Sequence, residues 1–252
     1  MFHHAGGGLA RRPAGRILAP LRTGPCHMQG KGSEAGTPNL IPGGMTVPAQ
    51  TAAEPAQGNA LLAATVDALS GAVGLRDRPT GAHCDRVERL ASDLGRRLRL
   101  SHQPLLDLAY AAELHDIGKV GLPDAVLLKP GPLLEMEWEL VRSHCSWGSD
   151  LLETVPGLER VAVIVRHHHE RFDGRGYPDR LMGDEIPVES RILAVVDAFV
   201  AMTEERPYAA ARDPHAAAAE LRAERGSQFD PRVLDAFEAD LERTVLVSAL
   251  SA

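Results

Sequence analysis

From Asn59 onward, apolar residues recur three and four positions apart, and no alternating run of β-branched residues interrupts them. That period predicts consecutive α-helices at about residues 59–74, 81–99, 103–117, 135–154, 157–169, 188–204, 214–225 and 231–243. Asn59, Asp213-Pro214 and Asp230-Pro231 each put a capping side chain ahead of a first turn. Two stretches rich in glycine and proline, GKVGLPDAVLLKPGPL and DGRGYPDRLMGDEIP, read as loops. No internal repeat is present. The expected fold is a single all-α domain over residues 59–252.

Composition separates the first segment from this pattern. Ten of the 24 glycines and five of the 18 prolines fall within residues 1–44, with no hydrophobic period, so residues 1–58 are expected to form a disordered extension. That Arg-rich, acid-poor start is also similar to a transit peptide, and Met45 is an alternative start. Residues 1–44 hold five basic side chains and one acid, leaving 22 basic and 33 acidic residues, a net of −11, for the rest. So acidic a domain is a poor ligand for polymeric nucleic acid; to handle a phosphate ester it would need bound cations. With aromatics at 4%, the core has to be aliphatic. The three cysteines form no CxxC pair, which excludes a disulfide scaffold and fits a reducing cytoplasm. No uncharged apolar run approaches the roughly 18 residues of a membrane span. A soluble, cytoplasmic protein is expected.

Candidate chemistry begins at LAYAAELHDIGKVGLPD, where an apolar helix runs into His115-Asp116 ahead of Gly118 and Lys119. Alone, such a pair is also what a polar helix end meeting water looks like. RILAVVDAFVAM then sets Asp197 in an otherwise apolar run, where a buried carboxylate needs a salt bridge or a metal ion. No basic residue lies between Arg191 and Arg206, which favours the metal. His83, His115, His144, His168 and His169 lie in segments read as helical and close to apolar positions. His3, His4, His27, His102 and His215 read as surface or disordered. Cys84 and Cys145 each follow a candidate ligand by one residue, about 100° around a helix, and read as structural. Five imidazoles and two carboxylates exceed what one four-coordinate ion needs. They suit two ions sharing a carboxylate, a recurrent solution for phosphoester hydrolysis.

The ordered segments TGAHCDRVERL, LHDIGKVGLPDAVLLKPG, VRSHCSWG, HHHERFDGRGYP, EIPVESRILAVVDAF, RPY and QFDP closely resemble the HD-GYP domain. The resemblance implies an HD-type helical bundle with a GYP loop, two divalent transition-metal ions (iron or manganese first, nickel or zinc as further options) and hydrolysis of cyclic di-GMP to pGpG or GMP. One ion would take His83, His115, Asp116 and Asp197; the other would take Asp116 as bridge with His144, His168 and His169. Lys119 resembles the family's phosphate-contacting lysine, with Asp116 beside it in the catalytic centre. Arg206 resembles a second phosphate contact, and the loop Asp173, Gly174, Gly176, Tyr177 and Pro178 resembles the substrate-side GYP signature, which can also contact a cyclic di-GMP synthase.

Three positions depart from the family pattern. Pro79 stands where some relatives hold a third ion with glutamate, Val200 where a second aspartate is usual, and Ala209 where a basic residue often follows RPY. Two alternatives therefore stand beside the main reading: an HD-type phosphohydrolase acting on another cyclic dinucleotide or nucleotide, and a non-catalytic module that senses nucleotide or docks a partner. His167 is expected to pack or hydrogen-bond beside the ligands, and Glu170 to orient an imidazole or cap the loop.

Overall fold

The structure is a computed structural model that describes residues 54–76, 80–205 and 210–250, and within them every regular element is a helix. In chain order these are α1 (Glu54–Arg76), α2 (Thr80–Arg97), α3 (His102–Leu114), α4 (Asp124–Leu127), α5 (Glu135–Arg142), α6 (His144–Glu153), α7 (Glu159–Arg166), α8 (Val188–Thr203), α9 (Pro214–Ala223) and α10 (Pro231–Leu250). Two 3₁₀ turns, Ile117–Gly121 and Gly183–Glu185, and two isolated bridges, Asp173 with Met182 and Arg225 with Phe229, complete the described backbone.

Which helices lie at the centre follows from their sequences. α3 and α8 are apolar on most sides, and a helix apolar nearly all round has to be buried. α3 buries Leu108, Tyr110 and Leu114, and α8 buries Ile192, Leu193, Val196 and Val200. α2 packs on both, α7 closes on α3, and α6 lies between α7 and the first 3₁₀ turn. Phe199 and Phe237 meet edge to face with centroids 5.0 Å apart, joining α8 to α10. Leu, Ile and Val supply most of the rest of the core, as the scarcity of aromatics requires.

Some expected boundaries shift. Asn59 lies inside α1 rather than ahead of its first turn, because the helix already begins at Glu54. Asp213 does cap α9, accepting from the backbone N–H of His215 and Ala216, and Asp230 accepts from Arg232 N ahead of α10. The single helix expected over 135–154 is two, α5 and α6, meeting at Ser143. The Ser143 hydroxyl donates to the Glu139 carbonyl at 2.9 Å, the back-bonding that bends helices. The helix expected over 157–169 ends at Arg166, where His167 N turns to Ile164 O. His168 and His169 therefore stand on a turn beyond the helix. Likewise α3 ends at Leu114, placing His115 at its cap and Asp116 ahead of the 3₁₀ turn. Of the extension expected over residues 1–58, residues 1–53 lie outside the described residues, as do Pro79, Arg206 and Ala209, and residues 54–58 belong to α1.

Candidate metal centre

Helix ends build the site. At the end of α3 the His115 Nδ1 donates to Ala112 O at 2.9 Å; at the α5–α6 junction His144 Nδ1 donates to Val141 O at 2.5 Å; past α7 His168 Nδ1 donates to Val165 O at 2.6 Å. Each ring takes the carbonyl three residues back, one of those a helix end leaves without an intrahelical donor. Spending the Nδ1 hydrogen this way leaves Nε2 as a lone pair directed inward, the tautomer a metal ligand needs.

The consequence is clearest between His144 and His168, whose Nε2 atoms lie 3.4 Å apart. Neither has a hydrogen to offer the other, so two lone pairs face each other in a buried place; a cation between them is the arrangement that removes the conflict. The donor set thus fits a bound metal ion. Two ligand-spaced groups emerge, His83 with His115 and Asp197, and His144 with His168, His169 and Cys145. Asp116 joins them, with Oδ2 3.5 Å from His115 Nε2 and Oδ1 3.7 Å from His144 Nε2. Asp197 Oδ1 lies 3.0 Å from His83 Nε2 and 3.9 Å from His115 Nε2. Arg191, the nearest cation in sequence, instead donates to Asp184 and Asp230 at 2.7 Å each.

Cys145, expected to be structural, lies within the second of these groups. Its Sγ is 3.6 Å from His144 Nε2 and 3.9 Å from His168 Nδ1. Burial pushes its thiol pKa up, so the sulfur is protonated in the metal-free protein. Cys84 is also buried and shifted up by burial.

Electrostatics distinguish the groups. Burial pulls the His168 and His169 imidazoles down, reinforced by neighbouring imidazoles, His169 to about 4. Burial also lowers His144. Burial opposes ionisation of Asp116, but Lys119, His115 and His144 outweigh it and hold the carboxyl well below its usual range. Asp197 is lowered too, chiefly by His83 and His115 against its own burial. The Lys119 ammonium donates to Asp116 Oδ2 at 2.7 Å.

Some neighbours lie outside the ligand groups. His167 Nε2 is 3.0 Å from Asp179 Oδ2, a hydrogen-bonding role. Glu170 is buried and accepts from Asp179 N at 2.7 Å, so it caps the loop rather than orienting a ligand. Sequence reasoning missed Glu204, whose Oε2 is 2.9 Å from His83 Nδ1. Its spacing from Asp197, two helical turns, was a usable signal. Val200, between them, is packed in the core.

The GYP loop flanks the centre. Asp173 accepts from the Arg171 guanidinium at 3.0 and 3.1 Å and from Arg175 N at 3.1 Å; Gly174 has φ +75°. At Gly176 any Cβ would collide with the Glu170–Arg171 backbone, so only glycine fits. The Tyr177-Pro178 bond is cis, and the Tyr177 ring lies 5.1 Å from that of His169. Between this loop and His168, His169 and Asp197 opens a cleft of about 790 Å³. Four arginines line it, Arg142, Arg171, Arg175 and Arg180, none singled out by the sequence pattern.

Fold and centre together define an all-helical domain built around a paired histidine–aspartate site. The HD domain family matches residues 67–233, and the chain belongs to that family. Over 174 residues it is 43% identical to "Cyclic di-GMP phosphodiesterase response regulator RpfG" of Xanthomonas campestris pv. campestris, covering 68% of this chain and 46% of that protein. Over 169 residues it is 38% identical to "3'3'-cGAMP-specific phosphodiesterase 2" of Vibrio cholerae, covering 66% and 32%. The crystal structure of the V. cholerae cyclic GMP-AMP phosphodiesterase V-cGAP3 shares the fold, with TM-score 0.53 at 24% identity over 68% of this chain and 46% of that one. The chain spans less than half the length of these relatives. HD-domain phosphohydrolases are metal-dependent, and the described residues hold two groups able to bind an ion. No described helix is long and apolar enough to cross a membrane.

Proposed function

We propose that this chain is a metal-dependent phosphodiesterase that opens cyclic di-GMP to pGpG or GMP in bacterial second-messenger signalling in the cytoplasm. The observation that carries the reading is the opposed Nε2 pair of His144 and His168, with Asp116 offering one carboxylate oxygen to each ligand group. His83, His115, Asp116 and Asp197 would hold one ion, and Asp116, His144, His168 and His169 the other. Iron or manganese suits this nitrogen and oxygen set, with nickel or zinc also admissible. Bound there, such ions neutralise charge at phosphorus and lower the pKa of water.

The protein's own groups do the rest. Three imidazoles are fixed by backbone carbonyls, so the centre is organised before substrate arrives. Lys119 supplies an ammonium to a phosphate oxygen and Arg206 a second phosphate contact. Asp173, Gly174, Gly176, Tyr177 and Pro178 form the wall against which the nucleotide lies; the same loop is the surface for docking a cyclic di-GMP synthase. A cleft of about 790 Å³ is within the usual size for sites that enclose small ligands.

A second reading has its own support: the relative at 38% identity is named for 3'3'-cGAMP. Chromatography of products from one manganese-loaded preparation, given cyclic di-GMP and 3'3'-cGAMP in parallel, tests both. Faster conversion of cyclic di-GMP is expected; preference for 3'3'-cGAMP would transfer the assignment to it, and two intact substrates would remove the enzyme reading.

A further inference from the structure

The cleft gathers four arginines in a chain of formal net charge −7. Two are engaged: Arg142 donates to Glu135 at 3.1 Å, and Arg171 to Asp173 at 3.0 Å and to Glu224 at 3.3 Å. Among the described residues the Arg180 guanidinium has no hydrogen-bond or ion-pair partner and the Arg175 guanidinium has only a longer-range attraction to Asp173, and both line the cleft.

Their backbones are built with more care than an exposed loop requires. Asp173 accepts from Arg175 N, the bridge between Asp173 and Met182 closes the loop, and buried Glu170 accepts from Asp179 N. Gly176 lets the loop lie directly on the Glu170–Arg171 backbone. Arg180 sits at φ +57°, a left-handed conformation that penalises a residue with a Cβ and suits glycine. A side chain kept at such a position points to a role for the side chain, since the backbone alone would be better served without it.

A cyclic dinucleotide has two permanently charged phosphates on opposite sides of its ring. If one lies at the histidine–aspartate centre, as the proposed function requires, the other needs cations at the cleft wall. We infer that Arg175 and Arg180 clamp the phosphate that is not being cut. Guanidinium suits this because its donors match phosphate oxygens in pairs. The clamp sets affinity and selects substrates with a second phosphate; the bond broken is still the one at the centre.

The test uses the manganese-loaded full chain and two substrates, cyclic di-GMP and bis(p-nitrophenyl) phosphate, a diester with a single phosphate. Arg180→Gly removes the guanidinium while relieving the backbone, so it should fold at least as well as wild type; Arg175→Ala and the double variant complete the set. Each single change should raise KM for cyclic di-GMP about tenfold, the scale of one hydrogen bond to a charged group. The single-phosphate diester should lose far less, and Arg175→Lys should restore part of the affinity. An unchanged KM for cyclic di-GMP in the double variant overturns the clamp. A parallel loss on both substrates also overturns it, because the loop would then be acting on the centre as a whole. Wild type that splits the small diester but leaves cyclic di-GMP intact removes the substrate reading, and this inference with it.

Discussion

His83 sits between two carboxylates, with Asp197 on one ring nitrogen at 3.0 Å and Glu204 on the other at 2.9 Å, whereas His144, His168 and His169 face one another. The first group neutralises itself: burial pulls the His83 pKa down, but the two carboxylates outweigh it and leave it raised. In the second group burial wins and the imidazoles stay neutral. A self-paired group tolerates the absence of an ion; opposed lone pairs do not. Asp116 joins the two, so each half should respond differently to damage and the shared residue should fail both.

Removing that shared carboxylate has the largest expected effect. Asp116→Asn keeps the shape but removes the charge offered to each group, so turnover should fall by at least about 10²-fold to 10³-fold, the scale of losing one preorganised electrostatic contact. Metal analysis should show both ions lost. Loss of one ion alone would mean that Asp116 belongs to one half.

Gly118→Ala strikes the second half through packing. A Cβ there would overlap the His144 carbonyl oxygen, forcing the 3₁₀ turn away from α6. Destabilisation of about 1–3 kcal/mol is expected from such overpacking and can be read from denaturant unfolding. Metal affinity of the second group should fall along with it; a variant of wild-type stability would show that the turn and α6 are less tightly joined.

Much of this was legible in the sequence and some was not, for identifiable reasons. Periodicity located α3 and α8 because a buried helix needs apolar residues on most faces, and Asp197 stood out against that background. The break at Ser143 was invisible because Glu135–Glu153 keeps helical character throughout; a hydroxyl bond to Glu139 O bends it. The turn holding His168 and His169 went unseen because their contacts, not their neighbours in sequence, end α7. Glu204 and the cleft arginines were hidden among the charged residues of a chain that is 24% charged.

A smaller effect sharpens the contrast from the other side. Glu204→Gln weakens the acceptor on His83 Nδ1, and changes of this kind typically reduce metal affinity about 10-fold to 100-fold. Only the first group should show it in a stepwise manganese titration; equal weakening of both steps would contradict the division.

Acidity separates the halves most gently. His169 is lowered to about 4 from 6.5, so as pH falls from about 6.5 to about 4 the unfolded chain takes up a proton that the metal-free folded chain refuses, and stability declines. His83 is raised, so its contribution is fully present below 6.5 and is lost as pH rises through its folded value. Histidine ring NMR of the metal-free protein should show His83 titrating above, and His169 below, the ordinary range. Similar midpoints would erase the electrostatic difference.

The most direct test of the paired centre is the number of ions bound by the metal-free chain in an anaerobic calorimetric titration with manganese. Two ions per chain are predicted, with Asp116→Asn reducing both. A wild-type chain that takes up a single ion, or none, would contradict the account.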